Sequence, residues 1–284
     1  MATTYELLQK RGGDRLSAAN RRLLLDESGT SSRYRARSKR GEKFTVSVSH
    51  MVQEAHQERM LPVLLYLFTV VTGLVDAISY IALGHVFTAN MTGNIVFLGF
   101  ASAGVPGLSA MRSLTALTAF LLGALIGGRL ATTLAPLSNN RWKMTAFGAE
   151  AAFLLGATLA SIDYVSAPSD STRLYAVIIL TALAMGLRNA TVRKIAQPDL
   201  TTTVLTLTIT GLAADSSFAG GSNPRWQRRV MSIVLMFAGA AVGALLLRHS
   251  LALPLGVATV FAVCGVAALY RNRHLGWAET RISD

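Results

Sequence analysis

The sequence predicts an all-α fold, a polytopic bundle of transmembrane helices, and three observations carry that reading. Hydrophobic residues make up 51% of the 284-residue chain and charged residues only 15%, with a mean hydropathy of +0.43, a balance outside the usual soluble range. Six apolar runs are long enough, at about 1.5 Å per residue, to span a hydrocarbon core of about 30 Å. They are Leu61 to Leu83, Ser113 to Ala135, Met144 to Ile162, Leu174 to Thr191, Val230 to Leu247 and Leu251 to Tyr270. Between them lie two shorter polar-tinged segments, 91–105 and 200–214, of a length at which a re-entrant or partial helix competes with a full crossing.

Taken in chain order, residues 1–59 read as a basic, largely disordered cytoplasmic extension with a short amphipathic helix around Arg15 to Leu25. It holds 12 Lys and Arg against 7 Asp and Glu, and six of the basic residues fall between Arg33 and Lys43. Such a block beside a first span retains a terminus in the cytoplasm and attracts anionic lipid at about 1 kcal/mol per basic residue. The net charge of +12 therefore points to a membrane surface and not to nucleic acid, since no aromatic or Gly-rich recognition pattern accompanies the arginines. The first apolar run begins too far in to be a cleaved signal peptide. Pro62 is expected at the start of the first span, where its missing N–H costs nothing. The lone cysteine, Cys264, lies in an apolar run and reads as a packing residue.

Residues 60–271 form the transmembrane domain and 272–284 a short tail. Within the domain the sequence repeats itself. Gly73-Leu74-Val75-Asp76-Ala77 matches Gly186-Leu187-Arg188-Asn189-Ala190 at an offset of 113, and Met91-Thr92-Gly93-Asn94 matches Leu205-Thr206-Leu207-Thr208 at 114. The pair Gly123 and Gly127 matches Gly239 and Gly243 at 116. Three matches in the same order imply a duplicated unit, about 61–163 and 172–270. Charge placement then sets the topology. If all eight segments crossed, Arg141, Lys143, Arg188, Arg193, Lys194 and Arg248 would face outward, against the positive-inside rule. If the two short segments dip and return, most of the basic loops face the cytoplasm and the loop with Asp163 and Asp170 lies outside. Each unit then has three crossings, and the halves are inverted with respect to each other.

A segment that enters the membrane without crossing needs protein or water around its backbone. Thr88, Asn90, Thr92 and Asn94, with Gly93 permitting a turn, supply polar partners in the first copy; Thr201 to Thr203, Thr206, Thr208 and Thr210 supply hydroxyls in the second. These segments are expected to meet as a polar patch near the middle of the bundle, or else to bond their own helices. Asp76, inside the first span, costs about 2.5–3.5 kcal/mol to insert and should face the interior with a partner. Arg188, beside Asn189 in the second copy, is the expected partner; a protonatable Asp76 is the alternative. Glu150 is a second intramembrane acid that could also reach the interface. Arg129 is expected to snorkel, and His85 to be a solvated loop residue. Asn90-Met91-Thr92 has the form of a glycosylation acceptor, but its closeness to the bilayer argues against use. Gly123 with Gly127 and Gly239 with Gly243 read as close helix packing, between the halves or in a homodimer.

No protease, hydrolase, nucleotide-binding or dinucleotide-binding motif is present, and one cysteine with scattered histidines suggests no metal. No enzyme activity, cofactor or metal is expected. The phrase TGLVDAISYIALGHVFTANMTGNIVFLG at residues 72–99, with MGLRNATVRK at 185–194 and TTTVLTLTITGL at 201–212, resembles the YoaK-like membrane proteins, a family whose domain carries the label of unknown function. The resemblance covers roughly residues 60–271 and departs from the family pattern at Leu207, where a Gly is expected. It implies an integral membrane protein of about six spans without an agreed activity. The expectation is a small-solute transporter or channel of the plasma (inner) membrane, N-terminus cytoplasmic, with Asp76, Asn90, Thr92, Asn94, Arg188, Asn189, Thr206 and Thr208 at the polar site. A non-transporting scaffold or stress-related interaction protein is the alternative.

Overall fold

The structure, a computed structural model, describes residues 22–25, 32–37, 43–136, 139–162, 171–195 and 205–282. The chain divides into two compact units, one of residues Met1–Leu61 with Arg271–Asp284 and one of Pro62–Tyr270. In the first, three short strands form an antiparallel meander: β1 (Arg22–Leu25), β2 (Ser32–Arg37) and β3 (Lys43–Ser47). Arg22 pairs with Arg35, and Tyr34 with Val46. Of the helix expected around Arg15 to Leu25, the described part, Arg22–Leu25, is a strand, and residues 15–21 lie outside the described residues. The reason is legible in β2, where Arg33, Arg35 and Arg37 alternate with Tyr34 and Ala36 at the period of a strand.

All described elements of the second unit are helical. In chain order the helices are α1 (Val48–Ala82), α2 (Met91–Ser102), α3 (Ala110–Leu134), α4 (Asn139–Ala160), α5 (Thr172–Ile195), α6 (Thr206–Ala214), α7 (Trp226–Leu246) and α8 (Ala252–Ile282). Five are long and apolar enough to cross a membrane, namely α1 over Leu61–Ala82, α3, α5, α7 and α8 over Ala252–Arg271. The stretch expected as a further span lies in α4, which has 22 residues but carries Arg141, Lys143 and Glu150. Because α1 begins at Val48, Pro62 sits inside a helix and not at its start. Its ring removes one i to i−4 hydrogen bond there, and the boundary between the two units falls at that residue.

Burial singles out two helices. In α1 and in α5 61% of the apolar stretch is buried, against 28%, 22% and 33% in α3, α7 and α8, so α1 and α5 are central and the others surround them. Glycines set how closely they are approached. A Cβ on Gly73 of α1 would lie 2.3 Å from the Met236 carbonyl oxygen and 2.7 Å from the Ala240 nitrogen of α7; one on Gly239 would lie 2.2 Å from the Val70 oxygen. The crossing of α5 with α3 has the same contacts. A Cβ on Gly186 would lie 2.0 Å from the Phe120 oxygen and 2.9 Å from the Ala124 nitrogen, and one on Gly123 would lie 2.2 Å from the Leu183 oxygen. Gly243 faces Leu74 and Ala77 as Gly127 faces Leu187 and Ala190. Every α1 residue in this set is 113 positions before its α5 counterpart, and every α3 residue is 116 before its α7 counterpart. Both glycine pairs are buried within the chain, where they serve close packing between its own helices.

Where α1 ends, its C-terminus closes as a Schellman turn: the His85 N–H reaches the Tyr80 oxygen at 3.1 Å, with Gly84 left-handed at φ 81°. Tyr80 and His85 meet edge to face across it at 5.1 Å, and His85 is exposed as expected. An apolar cluster of Ile78, Leu83, Val86, Ala116, Ala157, Leu174, Val177, Ile178, Leu251 and Leu255 fills the bundle at this end. Cys264 is exposed on α8, so its expected packing role is corrected.

The glycine crossings make a direct prediction. Gly123→Ala and Gly239→Ala should each lower stability by about 1–3 kcal/mol through overpacking against backbone, whereas Gly128→Ala, whose Cβ would meet nothing within 4 Å, should be neutral. Unfolding of the purified variants in detergent measures the difference.

Candidate functional site

One face of α1 is polar through the middle of the bundle. Phe68, Thr72, Asp76 and Ser79 follow at spacings of four, four and three, which places them on one side of the helix. Thr69 and Thr72 are fully buried and donate to the backbone one turn earlier, to Leu65 at 2.9 Å and Phe68 at 3.0 Å. Arg188 of α5, also fully buried, reaches across to this face. Its Nη1 donates to the Phe68 oxygen at 2.9 Å and to Thr72 Oγ1 at 3.1 Å, and the guanidinium lies 4.8 Å from the centre of the Phe68 ring.

The charge of Arg188 is met from α4. Its Nε donates to Glu150 Oε1 at 2.9 Å, and its Nη2 forms an ion pair with the same oxygen. The expected pair between Asp76 and Arg188 is therefore corrected, and Glu150, also fully buried, takes that place. Register explains the exchange: Arg188 meets α1 at Phe68 and Thr72, one turn before Asp76. Phe147, one turn before Glu150 on α4, packs tilted against Phe68 with ring centres 4.6 Å apart and holds α4 against the same patch. Glu150 had no partner that sequence spacing could identify; its position inside an apolar run was the available signal. Its second oxygen, Oε2, is buried with no hydrogen-bond partner in the protein.

Asp76 continues the polar face. The backbone of Ala89 bonds to its carboxylate, but Oδ1 is out of contact with solvent and has no hydrogen-bond partner. Ser79 Oγ donates to the Asp76 backbone oxygen at 3.2 Å and accepts from the Thr88 N–H at 3.4 Å. Thr88 is fully buried, and its Oγ1 is also without a partner.

The other expected site residues are largely occupied in building the loop and the short helices. Asn90 caps α2, its Oδ1 accepting from the Gly93 N–H at 3.5 Å. Asn94 is the buried residue of α2; its Oδ1 accepts from the Phe87 N–H at 2.9 Å and its Nδ2 donates back to the Phe87 oxygen. Asn189 donates to the Met185 oxygen of its own helix at 2.8 Å. Thr208 is the buried residue of α6, matching Asn94 of α2 at an offset of 114, whereas Thr92 and Thr206 are exposed. The two short segments thus bury one side chain each and pack chiefly on α3 and α7. The polar patch at the bundle centre comes from α1, α4 and α5 instead, which corrects the expectation that the short segments would form it. Thr201 to Thr203 lie outside the described residues. At the far end of α6, Arg229 binds the Gly211 oxygen and pairs with Asp215 Oδ2 at 2.7 Å, placing a cation at a helix C-terminus.

Comparison with known proteins gives the same outline. Residues 64–269 match the family described as "Protein of unknown function (DUF1275)". The chain is 34% identical over 193 residues, 64% of its own length and 82% of the other, to the UPF0700 transmembrane protein YoaK of Bacillus subtilis (strain 168). No solved structure matches it.

The buried pair should behave as a unit. Removing one partner, as in Arg188→Met or Glu150→Leu, strands the other charge and should cost about 3–5 kcal/mol, while the double substitution should recover most of that loss. A double-mutant cycle on detergent-unfolding midpoints reads the coupling.

Proposed function

The chain belongs to the DUF1275 family and is a multi-pass membrane protein; from that premise we propose that it is a small-solute transporter or channel whose path follows the polar face of α1. One observation carries this reading. Two carboxylates at membrane depth, Asp76 and Glu150, each retain an oxygen with no partner in the protein, along a column of Thr72, Arg188 and Thr88. An acid in the hydrocarbon costs about 2.5–3.5 kcal/mol, and a purely structural network gains most when every member is satisfied. The column from Phe68 to Ser79 covers about 16 Å of helix, roughly half of a bilayer core.

Six crossings in two inverted units complete the proposal, with α4 as the sixth. The matched contacts at the two glycine crossings support the duplication, because each unit's first long helix packs on the second long helix of the other. In that arrangement α2, 12 residues long, and α6, 9 residues long, dip from opposite sides, since each is too short to cross. The basic residues near Arg33 support a cytoplasmic N-terminus beside the anionic lipid of a plasma membrane. A scaffold without transport is the second reading, favoured by the internal bonds that occupy Asn90, Asn94 and Asn189.

Uptake by reconstituted vesicles, screened over a panel of solutes with and without a pH gradient, decides between them. Flux should exceed that of empty vesicles and fall at least about tenfold in Asp76→Asn; an intact protein that moves no member of the panel supports the scaffold. Single cysteines at positions 139 and 222 in a Cys264→Ser background should both be labelled from the cytoplasmic side. Labelling from opposite sides would refute the six-crossing topology.

A further inference from the structure

We infer that Asp76, Ser79 and Thr88 form a binding site for a small, hard monovalent cation of the size of Na+, enclosed between α1 and the loop that follows it. The observations are geometric. Asp76 Oδ1 and Thr88 Oγ1 are both buried and both without a hydrogen-bond partner, so neither satisfies the other. They lie in one neighbourhood, because the Ala89 backbone, one residue after Thr88, bonds to the Asp76 carboxylate. Ser79 Oγ also ties the two segments together, donating to the Asp76 backbone oxygen and accepting from the Thr88 N–H. Two partnerless buried oxygens thus belong to segments that the Ser79 and Ala89 bonds hold together.

The chemistry of the donors selects the ligand. A carboxylate and hydroxyls without nitrogen or sulfur suit a hard cation. Among the described residues no Lys or Arg pairs with Asp76, since Arg188 is committed to Glu150. A single negative charge is neutralised by a monovalent ion, and among the described residues no group of three His, Cys, Asp or Glu offers the charge a divalent or transition metal would need. The loop gives the site its lid: the Schellman turn at Gly84 reverses the chain, and the paired bonds of Asn94 to Phe87 hold it folded over Asp76.

This site rests on the reading of Asp76 as a functional carboxylate but not on transport, so its test is binding. The full chain, purified in detergent, is unfolded thermally while NaCl replaces choline chloride at constant ionic strength. The midpoint should rise by about 5 °C at saturating Na+, with a much smaller rise in KCl, and the Na+ response should vanish in Asp76→Asn. Thr88→Val keeps the carboxylate and should raise the half-maximal Na+ concentration on the order of tenfold. A midpoint that is the same in NaCl and choline chloride, or a Na+ response that survives in Asp76→Asn, overturns the site. So does a rise produced by acid that is equal in both salts, which would mean that the carboxyl takes a proton instead. If Asp76→Asn fails to fold, the Thr88→Val shift decides alone. Vesicles that show no uptake, from a protein whose stability responds to Na+, would sink the transport reading and leave this site standing.

Discussion

A guanidinium buried where water is absent must be neutralised and its donors occupied, and in this protein that requirement fixes the relation of three helices. Arg188 takes its counter-charge from α4 and its neutral acceptors from α1, so neither neighbour can slide by a turn without stranding a charge. The Phe68 ring lies against the guanidinium, and Phe147 packs in turn on Phe68. In hydrocarbon a lost partner cannot be replaced by water, and the bonds of Arg188 therefore specify register more than they add stability. The partnerless Glu150 oxygen stands apart from this logic, because among the described residues nothing donates to it.

That network depends on backbones that can come close, and the glycines supply the closeness. At both crossings a glycine on one helix faces a carbonyl oxygen on the other at a distance no Cβ could tolerate, in the manner of small-residue packing within bilayers. The two crossings repeat each other residue by residue across the inferred duplication. They therefore constrain α1 and α5 in the same way with respect to α7 and α3, and put the two central helices side by side. At each of two matched positions only one copy carries charge: Arg188 of α5 stands where α1 has Val75, and Asn189 stands where α1 has Asp76. A symmetrical frame thus holds an asymmetrical polar column, with a neutralised cation in one half and an unneutralised carboxylate in the other.

Much of this was legible in the sequence. Apolar length located the long helices of the bundle to within a few residues, because hydrocarbon thickness is a constraint that composition must satisfy. A repeat was suggested because glycines and the phrase around Asp76 recur at nearly constant offsets of 113 to 116. Partner choice could not be read. Asp76 and Arg188 sit at nearly matching repeat positions, which suggested a pair, but contact depends on how far one helix is shifted along another, and a shift of one turn moved Arg188 to Thr72 and Glu150. The Thr-rich segments misled in a similar way, since a hydroxyl that bonds its own helix and one that faces a cavity have the same sequence signature. In β2 a strand alternation was hidden within a run that charge alone made look unstructured.

The polar stretch after α1 illustrates why residue type is a poor guide to role. Asn90, Thr92 and Asn94 looked like ligands, yet Asn90 caps a helix and Asn94 makes a two-way bond with the Phe87 backbone that closes a turn of the loop. Their consequence lies two residues away. By fixing Phe87 and the start of α2, they fix Thr88 and Ala89, and those residues are the ones that meet Ser79 and Asp76. An asparagine can mimic the backbone because its amide carries one acceptor and two donors, which is what a chain reversing direction without water must find. The motif therefore serves the carboxylate indirectly: it holds in place the loop whose Ala89 backbone bonds to Asp76, a carboxylate that no Lys or Arg among the described residues pairs with.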